Sequence, residues 1–205
     1  METLSLLGIA LGFATLSGIN LYLTTLLAGL AVRFNWIELA EKYETLAILA
    51  NPWIIGVAGG LFLVEFFADK IPWLDSSWDA AHTFIRPIGG TLLALAALGE
   101  MHPAVSVVAV LLSGGTTLIT HATKAGSRIL INMSPEPVSN SLASLGEDGL
   151  VLGGLSLMAF APAVSFFVFL AMLVVAAWLS RKTWRAIRLG LTTLRNRDKP
   201  TASLR

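Results

Sequence analysis

The sequence contains no cysteine, so a disulfide framework, a thiolate metal site and a cysteine nucleophile are all excluded. Charge is scarce as well. Only 13% of the 205 residues are Asp, Glu, Lys or Arg, against 55% that are hydrophobic, and mean hydropathy is +0.75. That is far too much apolar surface for one small water-soluble core, and the chain reads as an integral membrane protein. Basic residues are nearly missing from most of its length: eight of the fourteen (Arg181, Lys182, Arg185, Arg188, Arg195, Arg197, Lys199, Arg205) fall in the last 25 positions. Such a tail is expected to stay in the cytoplasm, and because positive-inside topology already accounts for it, no nucleic-acid partner is expected. The opening METLSLLGIALG lacks a basic flank, and its apolar run outlasts a signal peptide, so it reads as a retained span.

A hydrocarbon layer about 30 Å thick needs roughly 20 helical residues, and that ruler divides the chain into six segments of an all-α, polytopic transmembrane bundle. The first covers about 4–32, with Gly18 and Asn20 placed to admit a neighbouring helix and bond to it. Residues 33–49, carrying Glu38, Glu41, Lys42 and Glu44, suit a short helix at the outer surface. Asn51-Pro52-Trp53 opens a second span that ends at Asp69-Lys70. A third runs over 76–98 with an interruption at Arg86-Pro87 and Gly89-Gly90, and a fourth over 104–131, softened at SGGTT. The fifth covers 140–160, a turn falls at Ala161-Pro162, and the sixth covers 163–179. An even count puts both termini on one side, the cytoplasmic one. Residues 1–182 form the membrane domain and 183–205 a basic tail, helical to about Leu194 and disordered over 198–205, with Trp184, Ile187, Leu191 and Leu194 lying on the membrane.

Within this apolar chain the ionisable residues fall on stripes. Asp75, Asp79, His82 and Arg86 are spaced four, three and four apart, one face of a helix. His121, Lys124 and Arg128 share another face, Glu65 and Asp69 are a turn apart on the second span, and Glu147 and Asp148 sit in the fifth. An ionisable group at bilayer depth costs about 2.5–3.5 kcal/mol on insertion scales, so acids and bases on different helices are expected to pair. Arg86 cannot shed its charge. Asp79 is two turns away, roughly 10 Å along the axis, so the expected partner is Glu147 or Asp148. An internal repeat of low identity, 75–90 aligned with 139–154, supports that choice by placing the third and fifth helices parallel.

The segments GINLYLT, EFFADKIPWLDSSWDAAHTFIRP, KAGSR and SPEPVSNSLASLGEDGLV resemble those of a family of bacterial multi-pass membrane proteins known as domain of unknown function 4126. The likeness covers nearly the whole chain except the basic tail. It implies a polytopic membrane protein and no particular activity.

Three functional classes follow. A permease for a small solute or ion comes first, since interrupted helices, a repeat, Gly-Gly flexibility and a His-carboxylate cluster suit proton-coupled transport. A membrane scaffold or accessory subunit with a structural ion-pair core is the alternative. An intramembrane enzyme is third: no metal-ligand spacing such as HExxH is present, and Ser77, His82 and Asp79 offer only a generic nucleophilic set. No cofactor or metal is expected. The expected partners are the lipid bilayer of a bacterial inner membrane, an unidentified solute or ion, and a second copy of the chain.

Overall fold

A computed structural model describes residues 2–36, 44–132 and 137–197. These form α1 (Glu2–Arg33), a short 3-10 helix (Glu44–Ala50), α2 (Pro52–Ala68), α3 (Pro72–Leu98), α4 (Pro103–Asn132), α5 (Pro137–Phe160) and α6 (Pro162–Arg197). Helices α2 to α6 all begin with proline, whose fixed φ suits the first helical position and whose missing N–H would be unbonded there anyway. The helices expected to start at 76, 104, 140 and 163 therefore start one to four residues earlier. Residues 37–43 and 198–205 lie outside the described residues, as do the side chains of Leu191 and Leu194.

Five helices, α1 included, are long and apolar enough to cross a membrane, and α2 is a shorter apolar helix of 17 residues. Burial is inverted relative to a water-soluble protein. Phe160 is 85% exposed, Phe84 77% and Leu111 69%, while Arg86, Arg128, His82, His121 and Glu65 are among the most completely buried side chains. Lipid accepts the apolar exterior and forces charge inward. The molecule is a polytopic helical membrane protein.

Helix α1 packs against every other element and departs from the expected straight span. Asn20 leaves helical geometry, with φ −149° and ψ 99°, and the legs on either side fold back toward the same end of the bundle. On the first leg, Leu7 lines a cavity with Leu98 and Met101, and Gly8 presses on Pro162 and Ser165. On the second, Val32 lines a cavity with Phe160, and Arg33 Nη1 donates to Ala50 O at 3.2 Å, just ahead of α2. Phe13 from one leg and Leu27 and Ala28 from the other line a single cavity, although one straight helix would hold Phe13 and Ala28 roughly 22 Å apart. The first segment is therefore a re-entrant hairpin with its tip at Asn20. Asparagine suits the break because its Oδ1 accepts from Leu23 N at 2.9 Å, capping the second leg.

Two expectations are corrected, one by this hairpin and one by the course of α3. Only α2 to α6 run from one end of the bundle to the other, so the start of α1 and the end of α6 lie at opposite ends rather than on one side. The interruption expected at 86–90 is absent, since α3 continues through Pro87. Gly89 and Gly90 serve close packing instead of flexibility. A methyl on Gly89 would come 2.5 Å from Leu21 Cδ2, and one on Gly90 would collide with Thr117 and Ser17. Gly18 likewise admits α4, where a methyl would lie 2.6 Å from Thr117 O.

Candidate functional site

The stripes of α3 and α4 converge on the hairpin tip. On α3, Asp75, Asp79, His82 and Arg86 are at most 3% exposed, and on α4 His121, Lys124 and Arg128 at most 5%. Glu65 and Asp69 enter from the last turn and cap of α2, and Glu147 from α5. The result is one branched chain of charge. Arg86 Nη2 meets Glu65 Oε1 closely and Asp79 Oδ1 at 3.5 Å. Lys124 Nζ lies 3.3 Å from Glu65, 3.6 Å from Asp69 and 3.4 Å from Glu147. Arg128 forks onto Glu147, with Nη2–Oε2 2.7 Å and Nε–Oε1 3.1 Å, and reaches Asp69 at 3.6 Å.

The partner expected for Arg86 is wrong. Glu147 is taken by Arg128 and Lys124, and Asp148 accepts from Asn20 Nδ2 at 3.1 Å. Glu65 on α2 is the main counter-charge, and Asp79 joins it. The axial separation of Arg86 and Asp79 overstated their distance because a helical side chain points back toward its own N-terminus, and arginine is long enough to use that direction.

Arg86 also holds the broken backbone. Its Nη1 donates to Gly18 O at 3.0 Å, one of the carbonyls left without an amide partner where the first leg ends. A cation at a helix C-terminus is favoured, as is a carboxylate at an N-terminus; Asp148, bonded to Asn20, stands at the start of the second leg. Each half-helix end at the tip thus meets a side chain of complementary sign.

Both imidazoles beside this site are locked in one tautomer. Arg86 Nη1 can only donate, so His121 Nδ1 accepts at 3.0 Å, and His121 Nε2–H donates to Asp79 O at 3.0 Å. Trp78 O can only accept, so His82 Nδ1–H donates to it at 2.7 Å, and Tyr22 OH donates to His82 Nε2 at 2.8 Å. Neither ring offers a spare lone pair, which removes them as proton acceptors in this conformation.

Several participants were not among the candidates: Tyr22, Thr83, Asn132, Asn140 and Ser144. Asn140 gives Arg128 Nη1 its oxygen at 2.6 Å and donates to Asp69 O at 2.7 Å, Ser144 donates to Asp69 Oδ2 at 3.4 Å, and Asn132 donates to Asp75 Oδ2 at 2.9 Å. The spacing of 140, 144, 147 and 148 is a helical stripe, a signal that could have found Asn140 and Ser144. Ser77 is exposed and donates to Trp73 O at 2.9 Å, so no nucleophilic set forms with His82 and Asp79. Among the described residues no three His, Asp or Glu side chains are grouped to hold a metal ion.

Two further features bear on chemistry. Among the described residues several buried carboxylate oxygens are left without a hydrogen bond: both oxygens of Asp79, Oε2 of Glu65, Oδ1 of Asp69 and Oδ1 of Asp75. A cavity of about 540 Å³ between α1, α4, α5 and α6 reaches the cluster, with Thr120, Lys124, Ser127 and Glu147 in its wall.

No curated protein and no solved structure matches the chain. The model of a family described as "Domain of unknown function (DUF4126)" matches residues 7–182.

Proposed function

The chain belongs to that family, and from this premise, which supplies a membrane fold and no activity, we propose that it is a permease for a small cationic solute or ion. The observation that carries the reading is the charge imbalance around the broken hairpin. Six carboxylates (Glu65, Asp69, Asp75, Asp79, Glu147, Asp148) stand against four cations, Arg86, Lys124 and Arg128 within the cluster and Lys70 at its edge. Uncompensated negative charge at bilayer depth is costly, and a passing cation or proton relieves it. Transport proteins place such sites where discontinuous helices end near the membrane midplane, as the two legs of α1 do beside Arg86 and Asp148. The cavity bordered by Lys124 and Glu147 is the proposed route inward.

A second reading is supported by the completeness of the ion pairing. Each of the three cations within the cluster contacts at least two carboxylates, which is what a scaffold with a structural ion-pair core would need. The proposed setting is a bacterial cytoplasmic membrane. The end of α6, with exposed Arg181, Lys182, Arg185 and Arg188, faces the cytoplasm and the start of α1 the outside.

Reconstitution into proteoliposomes separates the two readings. Under an imposed gradient the purified protein is expected to carry monovalent cations, protons or small amines, and flux is expected to fall at least tenfold in Asp79→Asn. Single cysteines at 3 and 188, both exposed positions, report orientation in the same vesicles by labelling from opposite sides. A folded, correctly oriented protein that moves none of these cations would favour the scaffold.

A further inference from the structure

We propose that Asp148 is the proton-binding site that controls the hairpin, latching the tip at Asn20 when ionised and releasing it when protonated. Asp148 and Asp75 differ from the other carboxylates of the cluster: among the described residues no Lys or Arg nitrogen lies within ion-pair distance of either, and each accepts from an asparagine amide, Asp75 from Asn132 on α4 and Asp148 from Asn20 at the hairpin tip. The latter amide belongs to the one residue of α1 with non-helical backbone angles. Its orientation is fixed, because Oδ1 already accepts from Leu23 N and only Nδ2 remains to donate. Asp148 is half-buried, so a proton can reach it more readily than it reaches Asp79 or Glu65. The charged groups around it are Glu147 on its own helix, Lys124 on α4, and Asp69 and Lys70 at the end of α2; α1 contributes Asn20.

The coupling follows from hydrogen-bond strength. An amide donating to an ionised carboxylate forms a charge-assisted bond roughly twice as strong as a neutral one, and the carboxylate also favours the N-terminus of the second leg. Protonation removes both advantages together. The weakened latch shifts the balance between held and released tips by roughly tenfold toward release. A ligand that binds one state better than the other can move a two-state element only in this way. The use of the latch in transport rests on the permease reading above; its geometry does not.

The test uses the full chain in lipid nanodiscs, with spin labels on cysteines introduced at Leu7 on the first leg and at Phe34 just past the end of the second, both exposed. The native chain has no cysteine to interfere. Electron–electron double resonance distances are expected to shift to a second population as pH falls. Asp148→Asn should show that second population at every pH. Asn20→Ser, which keeps a capping oxygen but loses the amide donor, should be equally insensitive to pH. A distribution that does not change with pH in the parent chain, or a pH response that survives in either variant, overturns the latch. Because the readout is a distance, absent flux with a titrating distance would sink the permease reading alone, and flux with a fixed distance would sink the latch alone.

Discussion

Arg128 and Arg86 are buried to the same degree, 1% and 0% side-chain exposure, yet they stand in different chemistry. Around Arg128 nearly everything is satisfied. Glu147 receives a two-pronged bond, Asn140 offers both its side-chain and backbone oxygens, and Asn140 in turn holds Asp69 O. Around Arg86 much is left open. Among the described residues its own Nε has no hydrogen-bond partner, nor has Oε2 of Glu65, and neither oxygen of Asp79 accepts a hydrogen bond. A saturated ion-pair centre is what a bundle needs to hold its helices in register. Unfilled acceptors beside a broken helix are what a ligand or a proton needs, since burying them unbonded is otherwise unfavourable. Under the proposed permease reading, the Arg128 end holds the bundle together and the Arg86 end is where the transported cation binds.

The largest effect is expected where saturation is greatest. Arg128→Ala strips Asn140 of its donor and Glu147 of its two-pronged bond, leaving Glu147 and Asp69 to share Lys124, and breaking a buried pair by removing one partner costs about 3–5 kcal/mol. Unfolding of the purified protein in mild detergent is expected to shift by that amount, with Arg128→Lys recovering only part because lysine cannot fork onto Glu147. A shift below about 1 kcal/mol would erase the distinction between the two ends.

A smaller and more informative effect is expected at the other end. Arg86→Gln leaves Glu65 to Lys124 and removes the donor from Gly18 O and His121 Nδ1. Glu65→Gln leaves the guanidinium with Asp79. Neighbours in one network couple by about 0.5–3 kcal/mol, so the double variant is expected to be more stable than the sum of the two losses implies, by about 1–2 kcal/mol. Strict additivity would mean that Glu65 is not the main counter-charge of Arg86.

The stripes behind this comparison were legible in the sequence, because a helix with a 3–4 spacing of charges among apolar residues can bury them in only one direction. The helix positions were legible too, since prolines mark the starts of α2 to α6. Pairing was not. Sequence spacing fixes the face of a helix but neither its depth nor its rotation relative to a neighbour, and the repeat used to align α3 with α5 selected Glu147 and Asp148 where the fold brought Glu65. The hairpin was the least visible feature. A straight span and a re-entrant pair wrapped by other helices require the same apolar composition, and α1 has the length of one span. Asn20 was singled out for bonding across an interface, which it does with Asp148, but nothing local distinguishes an asparagine that packs from one that breaks the chain.

The smallest effect on stability is expected at Asp79, and it bears most directly on the comparison. Asp79 is 3% exposed and carries a full charge, so a structural role would make it as sensitive as Arg128. Among the described residues its one ion-pair contact is Arg86 at 3.5 Å and no hydrogen bond reaches either oxygen, while Glu65 is the main counter-charge of the guanidinium. In Asp79→Asn the amide nearly matches the carboxylate in size, no hydrogen bond is lost, and the loss of the 3.5 Å ion pair with Arg86 is offset by the disappearance of a costly buried charge; stability is expected to change by less than about 1 kcal/mol in either direction. Cation flux, by contrast, is expected to fall at least tenfold. Measured together on one preparation, a stable protein without flux places the open acceptors of Asp79 in the transport path. A destabilisation comparable to that of Arg128→Ala would make Asp79 part of the structural core and leave the Arg86 end without its proposed role.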